Sequence, residues 1–196
     1  MRVFLPCLLL SGIVLHALPL RAADDTGQFA MKGAGFLPCK VYVLEREKRS
    51  NIYYMIGGWL EGYLSAHNKY SKETFDVTSF ESLELLLRIM ENHCKSNPGD
   101  RLYGVISAMI GKLDPKRLKN SSNRVEIKDG DRKTALYRET IRRIQEALKQ
   151  RGLYKSEIDG KFTDRTKSAI IAFQSDLEYE MTGFPDQTTL WRLLRK

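Results

Sequence analysis

A chain of 196 residues and 22.6 kDa, 42% hydrophobic and 29% charged, has room for one ordinary domain or two small ones. That composition excludes a disordered polymer and a multi-pass membrane protein. A net charge of +8 and a pI near 9.4 favour polyanionic surroundings such as nucleic acid, anionic lipid or cell wall, without choosing among them.

The chain opens with Arg2 and an apolar run from Val3 to Leu20, interrupted by Pro6, Ser11, Gly12, His16 and Pro19 and followed by small residues at Ala22 and Ala23. This reads as a secretory signal peptide over residues 1–22, with a mature start at Ala23 or Asp24. The competing reading is an uncleaved anchor; two prolines and a short apolar stretch weigh against it. A lipoprotein is disfavoured because Cys7 follows Leu5 and Pro6 rather than a small-residue lipobox. The expected location is the periplasm, with no stable membrane insertion after cleavage. Of three cysteines, too few for a disulfide-rich scaffold or a cysteine-only zinc site, Cys39 and Cys94 remain in the mature chain and are expected to pair in an oxidising compartment. Two buried thiols are the alternative.

In residues 24–118, Ile52, Met55, Ile56, Trp59, Leu60 and Tyr63 recur at helical spacing and predict an amphipathic helix from about Ser50 to His67. A second helix is predicted to begin at Thr78, where Thr78 and Glu81 read as a capping box, and to bury Leu83, Leu86, Leu87, Met90 and Cys94. A third runs from about Asp100 with Leu102, Val105, Ile106, Met109 and Leu113 on one side. Tyr70 and Phe75 fall in the connection after the first helix, where a small domain has limited interior for aromatic rings. They are the residues expected to remain exposed and contact a protein partner. A disulfide between Cys39 and Cys94 would tie these helices around one small core. This part resembles small periplasmic helical domains of the acid-activated chaperone (HdeA-like) and type VI immunity kinds, over about residues 36–113. The features that carry the likeness are Cys39, Trp59-Leu60-Glu61-Gly62-Tyr63, Asn68, and Cys94 followed by Asn97-Pro98.

Residues 119–133 lose apolar periodicity and carry charge with Asn120, Ser121, Ser122 and Gly130, which reads as a basic polar linker. The basic cluster around it lacks interleaved aromatics, so no nucleic-acid partner is expected.

From residue 134 to 195 a second pattern begins. Tyr137, Ile141, Ile144 and Leu148 mark a helix ending near Gly152. Asp159-Gly160 supplies a turn, Phe162 a buried anchor, and Thr163 or Asp164 a cap for a helix carrying Ala169, Ile170 and Phe173. The pattern repeats in brief: Thr182-Gly183-Phe184 turns, Asp186 caps, and Thr189, Leu190, Leu193 and Leu194 form a last helix.

Gln145, Leu148, Gly152, Asp159, Gly160, Phe162, Thr166, Ala169, Phe173, Gln174, Thr182, Gly183, Asp186, Thr189 and Leu190 together resemble, in order and spacing, the peptidoglycan-binding type 1 domain. Thr163 stands where that family usually has Gly, and Asp164 where Pro is common. The resemblance implies a three-helix module and peptidoglycan as partner. Tyr154, Asp159, Arg165, Thr166, Gln174, Thr182 and Asp186 are the expected contacts to sugar or stem peptide.

No catalytic residue, metal site or cofactor is expected. His67 and His93 are too few for an amidase zinc site, and Glu61 is the one carboxylate whose aromatic setting hints at a glycosidic acid. The expectation is an all-α chain of two small helical domains. It is a non-enzymatic, cell-wall-associated protein holding peptidoglycan and an unidentified periplasmic partner. The alternatives are an accessory peptidoglycan hydrolase and a chaperone or immunity protein localised to the wall.

Overall fold

The computed structural model describes residues 23–24 and 26–195. The predicted signal peptide and Cys7 lie outside the described residues. The chain divides into two units, Met1–Met31 and Lys32–Lys196. In the first, the Asp24 carboxylate accepts hydrogen bonds from Thr26 N, Thr26 Oγ1 and Gln28 N and closes a small turn.

The second unit is mostly helical. Its elements are α1 (Cys39–Lys48), α2 (Asn51–Tyr70), α3 (Leu83–Ser96), α4 (Leu102–Leu113), β1 (Arg124–Asp129), β2 (Arg132–Tyr137), α5 (Arg138–Gln150), α6 (Asp164–Asp176) and α7 (Gln187–Leu194). Short 3₁₀ turns sit at Gly33–Phe36 and Asp114–Lys116. Helices α1 to α4 enclose one apolar core, with Tyr42, Ile56, Leu60, Leu86, Met90, Leu102 and Ile106 fully buried. Cys39 and Cys94 form the expected disulfide, joining the start of α1 to the end of α3.

Three local expectations need correction. Helix α1 was not foreseen, and it changes which side of α2 is inside. Tyr42 of α1 stacks on Tyr53 and donates to Leu87 O, while Arg46 reaches Glu84 and Glu91 of α3. The buried stripe of α2 is therefore Tyr53, Ile56, Gly57, Leu60 and Leu64, and Ile52 and Met55 are exposed. Helix α3 begins at Leu83 rather than Thr78, because Ser82 provides the cap, accepting from Leu85 N. Thr78 instead bonds through both N and Oγ1 to Asp76, and Glu81 is committed to Arg195. Third, much of the expected linker is a β-hairpin. β1 and β2 pair antiparallel with Val125 opposite Leu136 and Ile127 opposite Thr134, and Gly130 at the turn has φ 58°. Ile127 and Leu136 point into a second core, which recovers the apolar burial that the charged faces conceal.

That second core is completed by α5, α6 and α7 through Ile141, Ile144, Leu148, Ile170, Phe173, Leu190 and Leu193. It also takes Phe80 from the connection between α2 and α3. Around Phe80 the two cores are stitched together. Thr140 Oγ1 donates to Ser79 O, and Gln187 both donates to Phe80 O and accepts from Ser82 N. Tyr137 OH donates to Asp76, and Trp191 packs against both cores. The Glu81–Arg195 ion pair closes the seam at 2.6 Å with both side chains almost wholly buried.

Candidate functional site: two glutamine-stapled loops

Helices α5, α6 and α7 are joined by two loops built on one plan. In the first, Gln145 of α5 is fully buried, and its carboxamide oxygen accepts from Gly160 N at 2.9 Å. Its Nε2 donates to Asp159 Oδ1, Lys161 O and the Tyr154 hydroxyl. In the second, Gln174 of α6 accepts from Gly183 N at 2.8 Å and donates to Thr182 Oγ1, Phe184 O and Thr189 Oγ1. Buried amide groups need partners, so each glutamine is satisfied by the loop it shapes.

Glycine is required at both turns. Gly160 and Gly183 have φ of 70° and 67°, and a Cβ on Gly160 would lie 2.9 Å from Arg138 O of α5. At Gly183 it would lie 2.5 Å from the Lys167 side chain of α6. Each turn is locked again from the preceding position: Asp159 Oδ1 accepts from Lys161 N, and Thr182 Oγ1 accepts from Phe184 N. The hydrogen bonds from Gln145 and then Lys161 hold the Asp159 carboxyl below the usual carboxylate range. Helix α7 starts at Asp186, whose carboxylate accepts from Thr188 N and Thr189 N, as anticipated.

Each loop carries a shallow cleft on its outer side. The first, about 300 Å³, is lined by Tyr154, Ser156, Glu157, Asp159, Thr163, Asp164 and Arg165. The second, about 290 Å³, is lined by Arg132, Gln174, Tyr179, Glu180, Thr182, Phe184, Asp186 and Thr189. The fold thus brings Tyr154, Asp159 and Arg165 together in one place and Gln174, Thr182 and Asp186 in another. Thr166 lies beneath the first loop, within 3.4 Å of Gln145 Nε2.

Three of these residues sit at the floor of the loops. Tyr154, Thr166 and Gln174 are buried, and their polar atoms are engaged within the loops. They shape the clefts from below, whereas Arg165 is exposed, and Asp159, Thr182 and Asp186 are half-exposed. Sequence reasoning did not single out Ser156, Glu157, Tyr179 or Arg132. The turns at Gly160 and Gly183 were placed from the sequence, but Arg132 reaches its cleft from β2, outside the loop, and only the packed structure shows that.

Elsewhere, Tyr70 is 73% exposed with Lys69 above its ring, and Phe75 lies edge-on to Tyr137. Trp59 is half-buried, stacks on Tyr63 and donates to Lys32 O. His67 and His93 face Asp114 and Asp100, respectively. Among the described residues no three His, Cys, Asp or Glu side chains gather as a metal site, and no helix is long and apolar enough to cross a membrane.

Residues 137–193 match the family model described as "Putative peptidoglycan binding domain", which spans both stapled loops and all three helices around them. The match supports peptidoglycan binding by this C-terminal region and, with it, association with the cell wall. Comparisons with curated proteins and with solved structures each return no match. The likeness of residues 36–113 to chaperone and immunity domains gains no support from them.

Proposed function

We propose that this is a secreted, non-enzymatic wall protein that grips peptidoglycan through residues 134–195 and offers residues 24–118 to a protein partner in the periplasm. The observation that carries the wall reading is the pair of clefts on rigid, glutamine-stapled loops within the matched region. Polar edges such as Arg165 and Asp159 in the first cleft, and Arg132 and Tyr179 in the second, suit the hydroxyls, amides and carboxylates of a glycan strand and its stem peptides. Two shallow clefts on one body bind one polymer more tightly than either would alone. For the partner reading, the support is exposed apolar surface, with Tyr70 the most exposed ring.

A hydrolase is the second reading, and one observation bears on it. Glu61 and Asp76 line a common cleft of about 390 Å³. Both oxygens of Asp76 are engaged, Oδ1 by Asn68 and Thr78 and Oδ2 by Tyr137, and Glu81 of the same cleft is held by Arg195 and Phe80 N, which weighs against a free base beside Glu61.

One suspension of insoluble peptidoglycan tests both readings. The protein should pellet with it at about 0.5 M salt, where long-range attraction to an acidic polymer is screened. Retention should fall with Arg165→Ala and fall further with Arg165→Ala/Tyr179→Ala, and no soluble muropeptides should appear. Retention that vanishes in salt, or is indifferent to both substitutions, refutes the cleft assignment. Muropeptide release abolished by Glu61→Gln would establish the hydrolase instead.

A further inference from the structure

We propose that the cavity at the seam between the two cores, ringed by Lys116, Arg143, Arg151 and Arg195, is a binding site for an oxyanion, either a carboxylate or a phosphate group. It measures about 400 Å³ and shares no residue with either loop cleft. Its walls come from both halves: Ser79, Phe80 and Lys116 from one side, Arg143, Arg151 and Arg195 from the other. Four cationic side chains face a single carboxylate in the lining, that of Glu146, while behind the lining Glu81 pairs with Arg195 and Glu139 with Arg143.

Arg195 makes the case specific. Its side chain is 6% exposed; Nε pairs with Glu81, and Nη1 donates to Leu113 O. Nη2 is the one buried side-chain nitrogen or oxygen among the described residues that has no hydrogen-bond partner. A buried guanidinium donor without an acceptor is costly, and since Arg195 lines the cavity, an anion there would supply the acceptor after a small turn of the guanidinium. Arg143 lies close enough for the charges to interact: burial first, and the Arg195 charge with it, pull its basicity below the usual arginine range, against Glu139, Glu146 and Glu81. Arg143 is itself fixed in place by donating to the carbonyls of Lys116 and Arg117. Like charges gathered beside the apolar Phe80 and Leu193 repel one another in a medium of reduced dielectric, and an oxyanion removes that repulsion.

The site is tested by calorimetric titration of the purified protein with inorganic phosphate at ionic strength held constant with sodium chloride. A parallel titration uses a free stem tetrapeptide, with its carboxylates free or amidated. A saturable isotherm is expected with phosphate, with the tetrapeptide, or with both. Affinity should fall at least about tenfold in Lys116→Ala/Arg151→Ala, which removes two exposed cations and strands no buried charge. Glu81→Gln/Arg195→Met deletes the buried pair together and should abolish the isotherm while circular dichroism reports a folded chain. Saturation by phosphate alone assigns a phosphate source, and saturation by the tetrapeptide that amidation removes assigns a carboxylate. Saturation by neither probe, or an isotherm unchanged in both variants, overturns the site. Retention on peptidoglycan through the loop clefts should survive Lys116→Ala/Arg151→Ala, which separates failure here from failure of the wall reading.

Discussion

Gln145 and Gln174 occupy helix positions at which a sequence reader would accept any buried polar residue, yet each holds an entire loop. Replacing either by Ala strands a glycine N–H in the interior, takes one donor from a loop carbonyl that keeps another (Lys161 O from Thr166, Phe184 O from Asp186 N), and also leaves a cavity. The expected loss is about 2–4 kcal/mol of unfolding free energy by urea titration for each substitution. Peptidoglycan retention should fall along with it, since the cleft residues would no longer be held in place. Gln145→Ala that leaves the midpoint unchanged would show that the loop keeps its shape without the staple. At this scale the sequence located the two loops but did not show which of their polar side chains turn inward. Thr166, Gln174 and Tyr154 look like ligand contacts because they are polar, but polarity does not reveal whether the partner is solvent, ligand or the chain's own backbone.

Among the elements, the pairing of Cys39 with Cys94 closes a loop of 55 residues that holds α1, α2 and nearly all of α3. Under the loop-entropy model that closure is worth about 4 kcal/mol, so Cys39→Ala/Cys94→Ala should lower the urea midpoint by a corresponding amount without changing the folded circular dichroism spectrum. An unchanged midpoint would mean that the cross-link does not narrow the unfolded ensemble. Apart from α1, helix existence was legible along the chain because the 3.6-residue period survives in Leu86, Met90 and Cys94 or in Ile141, Ile144 and Leu148. Boundaries were less so. The start of α3 depended on Glu81 being held by Arg195, 114 residues away, and by Phe80 N, which leaves Ser82 to cap the helix. The hairpin was concealed by its solvent face, where Arg124, Glu126 and Lys128 read as linker charge while Ile127 carried the strand signal.

For the whole molecule, the seam has a thermodynamic consequence. Phe80 belongs to the second core although it lies between helices of the first, and Trp191 touches both. Two cores sharing side chains in this way should unfold in one cooperative transition. Trp59→Phe leaves Trp191 as the sole tryptophan, so its fluorescence and far-UV circular dichroism should give coincident midpoints. Arg195→Met strands the Glu81 carboxylate inside and should lower both midpoints together, with a loss of about 3–5 kcal/mol of unfolding free energy. Separated transitions would show that the seam is too weak to couple the cores.

The amino-acid sequence was sufficient to establish the helical class, the cysteine pair, the Asp186 cap, and the three-helix pattern carrying Asp159-Gly160 and Thr182-Gly183. All of these depend on periodicity, turn chemistry or motif order within a few tens of residues. The buried face of α2, the inward direction of Gln174 and Thr166, the placement of Phe80 and the cationic cavity at the seam depend instead on residues far apart in the chain. Arg195 is an ordinary basic residue near the end of the last helix until Glu81, Leu113 and Arg143 are packed around it. Local patterns specify which elements form, but burial and charge pairing are properties of the packed whole.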